Sequence, residues 1–305
     1  MCIRDSFQAF FDLGVKVTTD NNTILLNKDK AKASTVWLIE TSPTATENIV
    51  SLAVTLPGKT TIINAATEPN VQDVCNFLNA AGADITGIGS SILTINGGKP
   101  LHSIEYSVIS DHYEIGTFLA LGAITQGQIK INSVLPHHFT QIAREFAKFG
   151  ITISFDANSA TVSGNQSPII TRTKAPMIVR AQPWPALPVD MLPLFIPLAL
   201  AAPSGQVLFH NWMYEAGLFW TSELLKFGAN VTMCDPHRVI VTGGNPLKAA
   251  TIEAPYIIRA AIALTMSAML ADGQTTILNA DSINRGHPNF VQNLKSLGAK
   301  VEEVL

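Results

Sequence analysis

The chain has 305 residues, of which 47% are apolar and only 14% charged, and its formal net charge is −3. About a quarter of the residues in an average globular protein are charged, so this composition favours helices that are covered on most sides. The small negative charge gives no reason to expect a nucleic acid as a partner. The longest apolar stretch, Met191 to Pro203, contains three prolines and is too short for a bilayer, so no membrane segment is predicted.

The cysteines and histidines predict neither a disulfide framework nor a metal site. Cys2, Cys75 and Cys234 are scattered along the chain, which fits a reducing, cytoplasmic compartment. Cys75 has the spacing of a helical core position in VQDVCNFL, so we expect a buried thiol. His137 and His138 have no partner at a metal-ligand spacing and are expected to be surface or capping residues.

The chain begins with a segment that fits no element. Residues 1–6, MCIRDS, have neither the apolar core of a signal peptide nor a strand pattern. From Phe7 to Val17 the pattern is already that of a helix followed by a strand. We therefore expect residues 1–6 to be a non-native leader and the chain to start in the middle of a repeating unit.

Five glycines recur at nearly even intervals, each between a helical pattern and a strand pattern. They are Gly14, Gly82, Gly150, Gly228 and Gly298. A nearly fixed period along the chain indicates one supersecondary unit used repeatedly. Glycine at such a position suits the left-handed residue that ends a helix.

A second series supports the first. A glycine, a short β-branched strand and an asparagine recur in GKTTIIN (58–64), GQIKIN (127–132), GQVLFHN (205–211) and GQTTILN (273–279). Hairpin sequences follow the first series, for example TTDNNTILL and SFDANSATVSG. The predicted unit is β-α-β-α-β-β, and the alternative is a generic α/β protein with common glycine turns.

Five segments resemble the enolpyruvyl transferases, in particular those that use UDP-N-acetylglucosamine for peptidoglycan synthesis. They are TSPTATENI (41–49), SDHYEIGTFL (110–119), LPVDMLPLF (187–195), IIRAAIAL (257–264) and INRGHPNF (283–290). The resemblance implies an α/β fold, a two-domain inverted α/β barrel with three units per domain and helices inside the sheets. Residues 7–109 would be the remainder of an incomplete first domain, and residues 110–305 the second domain.

The resemblance also implies that part of the family's length is missing here. Six units of this size would make roughly 420 residues, so about 115 would be absent. In the family, that part carries a Lys-Asn pair and a glycine-rich loop with a cysteine, which contact phosphoenolpyruvate. We therefore expect this chain to be a fragment that is inactive alone.

Three residues are expected to carry the chemistry. The resemblance implies that Asp190 takes the proton of the 3′-hydroxyl group, that Arg259 lies at the reaction centre and that Arg285 belongs to a loop closing on phosphoenolpyruvate. From residue type alone, Asp190 is equally suited to capping a helix. Arg259 interrupts an apolar helix and must meet an anion, either a substrate or a structural ion-pair partner. Loop arginines such as Arg285 are often simply solvated.

The substrate-binding residues follow from the resemblance as well. Ser42, Pro43 and Thr44 occupy the stretch that contacts the nucleotide, and Met213 aligns with an apolar residue that touches the sugar nucleotide. The implied partners are UDP-N-acetylglucosamine and phosphoenolpyruvate, with no metal or organic cofactor. We expect a cytoplasmic protein, monomeric, that binds neither nucleic acid nor membrane.

Several positions depart from the family pattern. Gly217 replaces an active-site arginine, His112 replaces the arginine of an Asp-Arg pair, and Ile257 replaces an aspartate. Thr44 replaces a glycine, and Glu40 stands where some members have a lysine. These departures leave two alternatives open: a non-catalytic paralogue that binds the sugar nucleotide, and an enolpyruvyl transferase of the shikimate pathway, against which the TATEN and INRG segments argue.

Overall fold

A computed structural model of the chain describes residues 2–20, 23–171 and 175–304. The chain forms two compact units. The first comprises Met1–Ile109 together with Pro183–Pro185, and the second comprises Ser110–Gln182 together with Ala186–Leu305. In the first unit, the Thr67 hydroxyl group donates a hydrogen bond of 3.0 Å to the Trp184 carbonyl oxygen, which attaches the short segment to it.

Helices and strands alternate along most of the chain. The α-helices are α1 Cys2–Asp12, α2 Pro43–Ala53, α3 Pro69–Ala80, α4 His112–Ile124, α5 Thr140–Lys148, α6 Phe195–Ala201, α7 Ile258–Ala268 and α8 Phe290–Ser296. Among the described residues, 3₁₀-helices lie at Pro136–Phe139, Val189–Leu194, Phe219–Phe227 and Ala280–Arg285.

The described strands are short. They are β1 Lys16–Asp20, β2 Thr23–Asn27, β3 Thr35–Trp37, β4 Gly58–Ile63, β5 Ile85–Thr86, β6 Ile92–Gly97, β7 Ile129–Asn132, β8 Ile153–Phe155, β9 Ser159–Val162, β10 Met177–Arg180, β11 Gln206–His210, β12 Asn230–Asp235, β13 Arg238–Thr242, β14 Thr251–Glu253 and β15 Thr276–Leu278.

The same four-stranded sheet occurs once in each unit. In the first unit the strand order is β3-β4-β6-β5, with β3 parallel to β4 and the other neighbours antiparallel. In the second unit the order β10-β11-β13-β12 has the same directions. Each sheet is built from one β-α-β-α-β-β repeat, so the predicted unit is confirmed.

The remaining sheets are parts of the same repeat. Strands β7-β9-β8 contain the second strand and the hairpin of a unit, and the parallel pair β14-β15 contains the first two strands of another. The antiparallel pair β1-β2 is a hairpin that follows α1. The hairpins predicted from the sequence are therefore present. The expected non-native leader, residues 1–6, overlaps α1, because this helix already begins at Cys2.

The periodic glycines end helices in the left-handed backbone conformation. Their φ angles are 80° at Gly14, 104° at Gly82, 71° at Gly150, 81° at Gly228 and 93° at Gly298. The first four are each followed closely by a strand, as predicted. The fifth prediction is wrong within the described residues, because no strand follows Gly298 up to residue 304. No described strand pairs with residues 299–304.

Three helices form the centre of the second unit. Helices α4, α6 and α7 pack on one another, and α4 and α7 also contact the 3₁₀-helix Val189–Leu194. All three are apolar and mostly buried. A methyl group added at Gly116 of α4 would lie 2.8 Å from the Met191 sulfur atom, so the Met191 side chain would have to shift. Helices α4 and α6 also pack against strands of the sheets, as the composition and the resemblance predicted.

Further expectations concern Cys75, the membrane and metal ions. Cys75 is buried, and this burial raises the pKa of its thiol to about 11, as expected of a structural cysteine. None of the described helices has the length and hydrophobicity that crossing a bilayer requires. Within the described ranges, His, Cys, Asp and Glu side chains form no group of three or more that could hold a metal ion.

Candidate active site

The starts of the three central helices of the second unit carry three charged residues. Asp111 is the N-cap of α4, where its Oδ1 atom accepts a hydrogen bond of 2.7 Å from the Tyr113 backbone N–H. Asp190 is the second residue of the 3₁₀-helix that leads directly into α6, and Arg259 is the second residue of α7. Because helix starts carry partial positive charge, this arrangement favours an anion beside them.

Arg259 is half-buried, and its described contacts are with two rings. Its guanidinium carbon lies 4.9 Å from the centre of the Tyr113 ring, and its Nη1 atom lies 3.3 Å from Nδ1 of His287. Among the described side chains, no carboxylate lies within 4.0 Å of the Arg259 guanidinium nitrogens, the distance that defines an ion pair. The structural ion pair that the sequence left open is therefore not found among these residues, and most of the guanidinium donors remain for a bound anion.

Asp190 is not the cap of its helix. The N-cap position belongs to Pro188, and no side-chain capping hydrogen bond is made there. Burial raises the pKa of the Asp190 carboxyl group, the Arg259 guanidinium lowers it, and Asp111 raises it further. A carboxyl group whose pKa is raised by its site, and which faces a cation, is suited to taking a proton from a hydroxyl group.

The polar residues at the start of α4 share the same electrostatic environment. Burial raises the pKa of the Glu114 carboxyl group, with a further rise from Asp111 and a reduction from Arg259. Burial lowers the pKa of His112 to about 3, and His138 and Arg259 add to that reduction. His112 therefore occupies the position expected to hold an arginine but is a neutral group near pH 7.

The Arg285 guanidinium group contacts Tyr256. The residue is exposed at the end of a 3₁₀-helix, and its Nη2 atom donates a hydrogen bond of 3.3 Å to the Tyr256 carbonyl oxygen. Its guanidinium carbon stacks 3.9 Å from the centre of the Tyr256 ring. The structure thus packs the helices that carry Asp190 and Arg259 against each other and places the Arg285 guanidinium on Tyr256.

The residues expected to bind the nucleotide lie at the start of α2 in the first unit. Ser42 is buried and caps the helix, since its Oγ atom accepts a hydrogen bond of 3.3 Å from the Ala45 backbone N–H. Pro43 is half-buried in the first turn, and Thr44 and Glu40 are exposed. Ser42 therefore has a structural role of its own, and Thr44 presents the more accessible hydroxyl group.

Met213 and Gly217 lie in the segment between β11 and the following 3₁₀-helix of the second unit. Met213 is half-buried. At Gly217, an added Cβ atom would lie 2.6 Å from the Asn211 Nδ2 atom, while Asn211 accepts a hydrogen bond of 3.2 Å from the Tyr214 backbone N–H. The segment is thus folded around the glycine, and an arginine here would require it to move.

A cavity of about 580 Å³ in the second unit does not contain Asp190 or Arg259. Its lining residues are Trp220, Glu223, Glu253, Ala254, Pro255, Tyr256, Asn279 and Asp281. None of these lining residues is a cation, whereas Arg259 provides one at the starts of the central helices. We therefore place the candidate site at the starts of the central helices instead.

Sequence reasoning missed the residues that support Arg259. Tyr113 and His287 lie in SDHYEIGTFL and INRGHPNF, two of the segments that carried the resemblance. The available signal for Tyr113 was a polar residue in the first turn of an apolar helix. Their contact with Arg259 could not be predicted, because each lies far from it in sequence.

Comparison with known proteins identifies the family. The sequence profile of the family described as EPSP synthase (3-phosphoshikimate 1-carboxyvinyltransferase) matches residues 3–294. The chain is 37% identical over 300 residues to a UDP-N-acetylglucosamine 1-carboxyvinyltransferase of Borreliella burgdorferi, covering 98% of this chain and 70% of that one. It is 38% identical over 298 residues to the protein of the same name from Treponema denticola, covering 97% and 69%.

The solved structures agree on the fold. The enolpyruvyl transferase NikO from Streptomyces tendae superposes with a TM-score of 0.84 at 20% identity, over 99% of this chain and 72% of that one. An EPSP synthase from Acinetobacter baumannii gives a TM-score of 0.71 at 15% identity, over 99% and 72%. The chain therefore belongs to the EPSP synthase family of enolpyruvyl transferases and has its inverted α/β barrel fold.

Proposed function

We propose that the protein transfers the enolpyruvyl group of phosphoenolpyruvate to the 3′-hydroxyl group of UDP-N-acetylglucosamine and releases phosphate. The observation that carries the proposal is the contact between the two helices that carry Asp190 and Arg259, with no protein anion within ion-pair distance of Arg259 among the described side chains. The reaction needs a base on the hydroxyl group and cations on the phosphate and carboxylate groups, and these two residues supply one of each.

The role of each residue follows from its chemistry. Asp190 accepts the hydroxyl proton as the sugar oxygen bonds to the central carbon of phosphoenolpyruvate. The planar fork of Arg259 binds a carboxylate or phosphate group in two places. Arg285 leaves Tyr256 to bind the same anion from its loop. Ser42, Pro43 and Thr44 contact the nucleotide, and Met213 packs on the sugar nucleotide.

The relatives support this acceptor over the alternatives. Both of the relatives described above carry the name of the enzyme that uses UDP-N-acetylglucosamine. We further propose that residues 7–109 and 110–305 correspond to the two domains of the family, and that the protein is monomeric and acts in the cytoplasm. The scattered cysteines fit that compartment.

The test is an assay of phosphate release with identification of the product by mass spectrometry. It is run on the 305-residue chain and on any longer natural product of its gene, with phosphoenolpyruvate and UDP-N-acetylglucosamine. Phosphate release together with enolpyruvyl-UDP-N-acetylglucosamine by either protein supports the proposal. Release only with shikimate 3-phosphate as the acceptor would make the protein a shikimate-pathway enzyme.

A second candidate function is favoured by Gly217. The segment around Gly217 has no room for a side chain. It therefore cannot hold the arginine that the resemblance implies at this position. A protein that binds UDP-N-acetylglucosamine in calorimetry, and yet releases no phosphate in either form, would be a non-catalytic paralogue. This result would contradict the transferase proposal.

A further inference from the structure

His287 is a fully buried histidine for which the proposed chemistry has no role. It follows Arg285 closely, between the 3₁₀-helix and α8. Its Nδ1 atom is 3.3 Å from Arg259 Nη1, and its Nε2 atom is 3.0 Å from Thr117 Oγ1 on α4. The Phe290 ring packs edge-on against it, with ring centres 5.5 Å apart. Both ring nitrogens are therefore engaged, and the ring is fixed by packing.

The hydrogen-bond partners determine which nitrogen carries the proton. An arginine guanidinium only donates, so the Nδ1 atom of His287 must be the acceptor and carries no hydrogen. The Thr117 hydroxyl group donates to the Tyr113 carbonyl oxygen at 3.0 Å, so its oxygen is left to accept from Nε2–H. The chain of bonds is consistent only with a neutral imidazole that is protonated at Nε2.

We infer that neutral His287 is a positioning residue, which holds the Arg259 guanidinium in the orientation that binds the anionic substrate. The inference rests on the proposed function, because it assigns Arg259 to phosphoenolpyruvate. His287 acts through Arg259 and does not contact the reacting atoms itself. It also links α7 to α4, whose Tyr113 ring lies against the same guanidinium.

The geometry explains why such a residue is useful. A half-buried arginine side chain has many rotamers. Restricting it to one rotamer on substrate binding costs conformational entropy and so reduces the affinity. The Nδ1 atom of His287 accepts one hydrogen bond from Arg259 Nη1, and the Tyr113 ring covers one face of the guanidinium group. The other N–H donors of Arg259 remain available to the substrate. Substrate can then bind to a guanidinium that is already oriented.

The charge state of His287 fits this role. Burial lowers the pKa of His287 to about 4, and Arg259 lowers it as well, whereas Asp111 raises it. The other groups packed against the ring, Thr117 and Phe290, are uncharged. A protonated ring would lose its acceptor and place a second cation against Arg259, so the neutral form is the one that can orient it.

Three substitutions separate orientation from packing. His287→Ala removes both hydrogen bonds, His287→Asn places an oxygen acceptor close to the position of Nδ1, and His287→Gln places an amide donor close to the position of Nε2. We expect His287→Ala to raise KM for phosphoenolpyruvate about tenfold or more, as for a lost hydrogen bond to a charged group. His287→Asn should restore KM to within about threefold, and His287→Gln should not.

A role in packing alone predicts the opposite order, because glutamine is closer to histidine in volume than asparagine is. Equal KM values for the two variants, or a better rescue by His287→Gln, would overturn the inference. Thermal unfolding of all three variants shows whether each one is folded at the assay temperature. A variant that is unfolded is replaced in the comparison by Thr117→Val, which should raise KM because it removes the acceptor of Nε2–H, with Thr117→Ser as its control.

A second measurement does not depend on turnover. The ¹⁵N chemical shifts of the His287 ring, assigned by their loss in His287→Asn, should show a protonated Nε2 and an unprotonated Nδ1 at pH 7. A proton on Nδ1, or a fully protonated ring at that pH, would overturn the inference. If the transferase assay fails while the ring shows this tautomer, the proposed function is wrong and the Arg259–His287 bond is still established.

Discussion

Asp190 and Arg259 occupy equivalent positions in consecutive repeats. Asp190 precedes Gly228 by almost the same interval as that by which Arg259 precedes Gly298, so each stands at a matching place in its own unit. Asp111, at the start of α4, precedes Gly150 by a similar interval. The helices that carry these three charges contact one another, so the repeat places the charges on neighbouring helices. The site is thus a consequence of the fold's internal symmetry.

The carboxyl group of Asp190 is expected to be essential for turnover. Asp190→Asn keeps the size of the side chain but removes the base, so kcat should fall by about a hundredfold or more. Steady-state phosphate release measures the change. The matched control is Asp281→Asn, which alters an exposed aspartate in the first turn of another 3₁₀-helix and should leave kcat within about twofold. Near-normal turnover in Asp190→Asn would exclude it as the base.

Arg259 should not be replaceable by lysine. Arg259→Lys keeps the charge but loses the planar fork and the contact of the guanidinium with the Tyr113 ring. We expect kcat/KM for phosphoenolpyruvate to fall by about a hundredfold, as for the loss of a bidentate charged contact. Arg238→Lys serves as the control, because Arg238 forms an exposed ion pair with Asp235. A variant with unchanged kcat/KM would show that Arg259 does not bind the substrate anion.

The glycine that ends the helix before β12 should be sensitive to substitution through its backbone alone. An added Cβ atom at Gly228 would meet only the Pro246 carbonyl oxygen, at 4.0 Å, whereas φ is 81°. Gly228→Ala should therefore lower the free energy of unfolding by about 1–2 kcal/mol, and Gly228→Asn by less. Denaturant titration measures both. At Gly164, where φ is not left-handed and an added Cβ atom would make only ordinary contacts, alanine should cost less than about 0.5 kcal/mol, and an equal loss at both sites would contradict this explanation.

The repeat could be predicted because its signals are local. A glycine at a left-handed position and an asparagine after a short strand each reflect the backbone at that point, as Gly82 and Asn64 show. Local signals also misled at Gly298, where the sequence predicted a strand and the structure has none up to residue 304. A strand forms only where a partner strand is available, and this depends on the rest of the sheet.

Charged residues in apolar surroundings could also be recognised as site candidates, whereas their partners could not. Arg259 interrupts an apolar helix, and that anomaly is visible in one window of sequence. The bond between His287 and Thr117 joins residues that are 170 positions apart. No pattern within one segment reports such a contact, because it arises from the packing of α4 against the loop before α8.

Two buried histidines should make the protein less stable in acid. Burial lowers the pKa of His112 to about 3 and that of His287 to about 4, against about 6.5 in the unfolded chain. Between the folded and unfolded values the unfolded state binds more protons, so the free energy of unfolding rises with pH in this window. Stability is therefore full above about pH 6.5 and is lost as the pH falls towards the folded values.

The contribution of His287 can be isolated by substitution. From its two pKa values, His287 should account for roughly 2 kcal/mol of the stability lost between pH 7 and pH 5. Urea titrations at both values should show a smaller loss in His287→Asn than in the wild-type protein, by about that amount, because the carboxyl groups titrate in both. His102→Asn, at an exposed histidine, should retain the wild-type loss. Equal losses in the wild-type protein and His287→Asn would mean that His287 is protonated in the folded state at pH 5, and that its hydrogen bond from Arg259 is broken there.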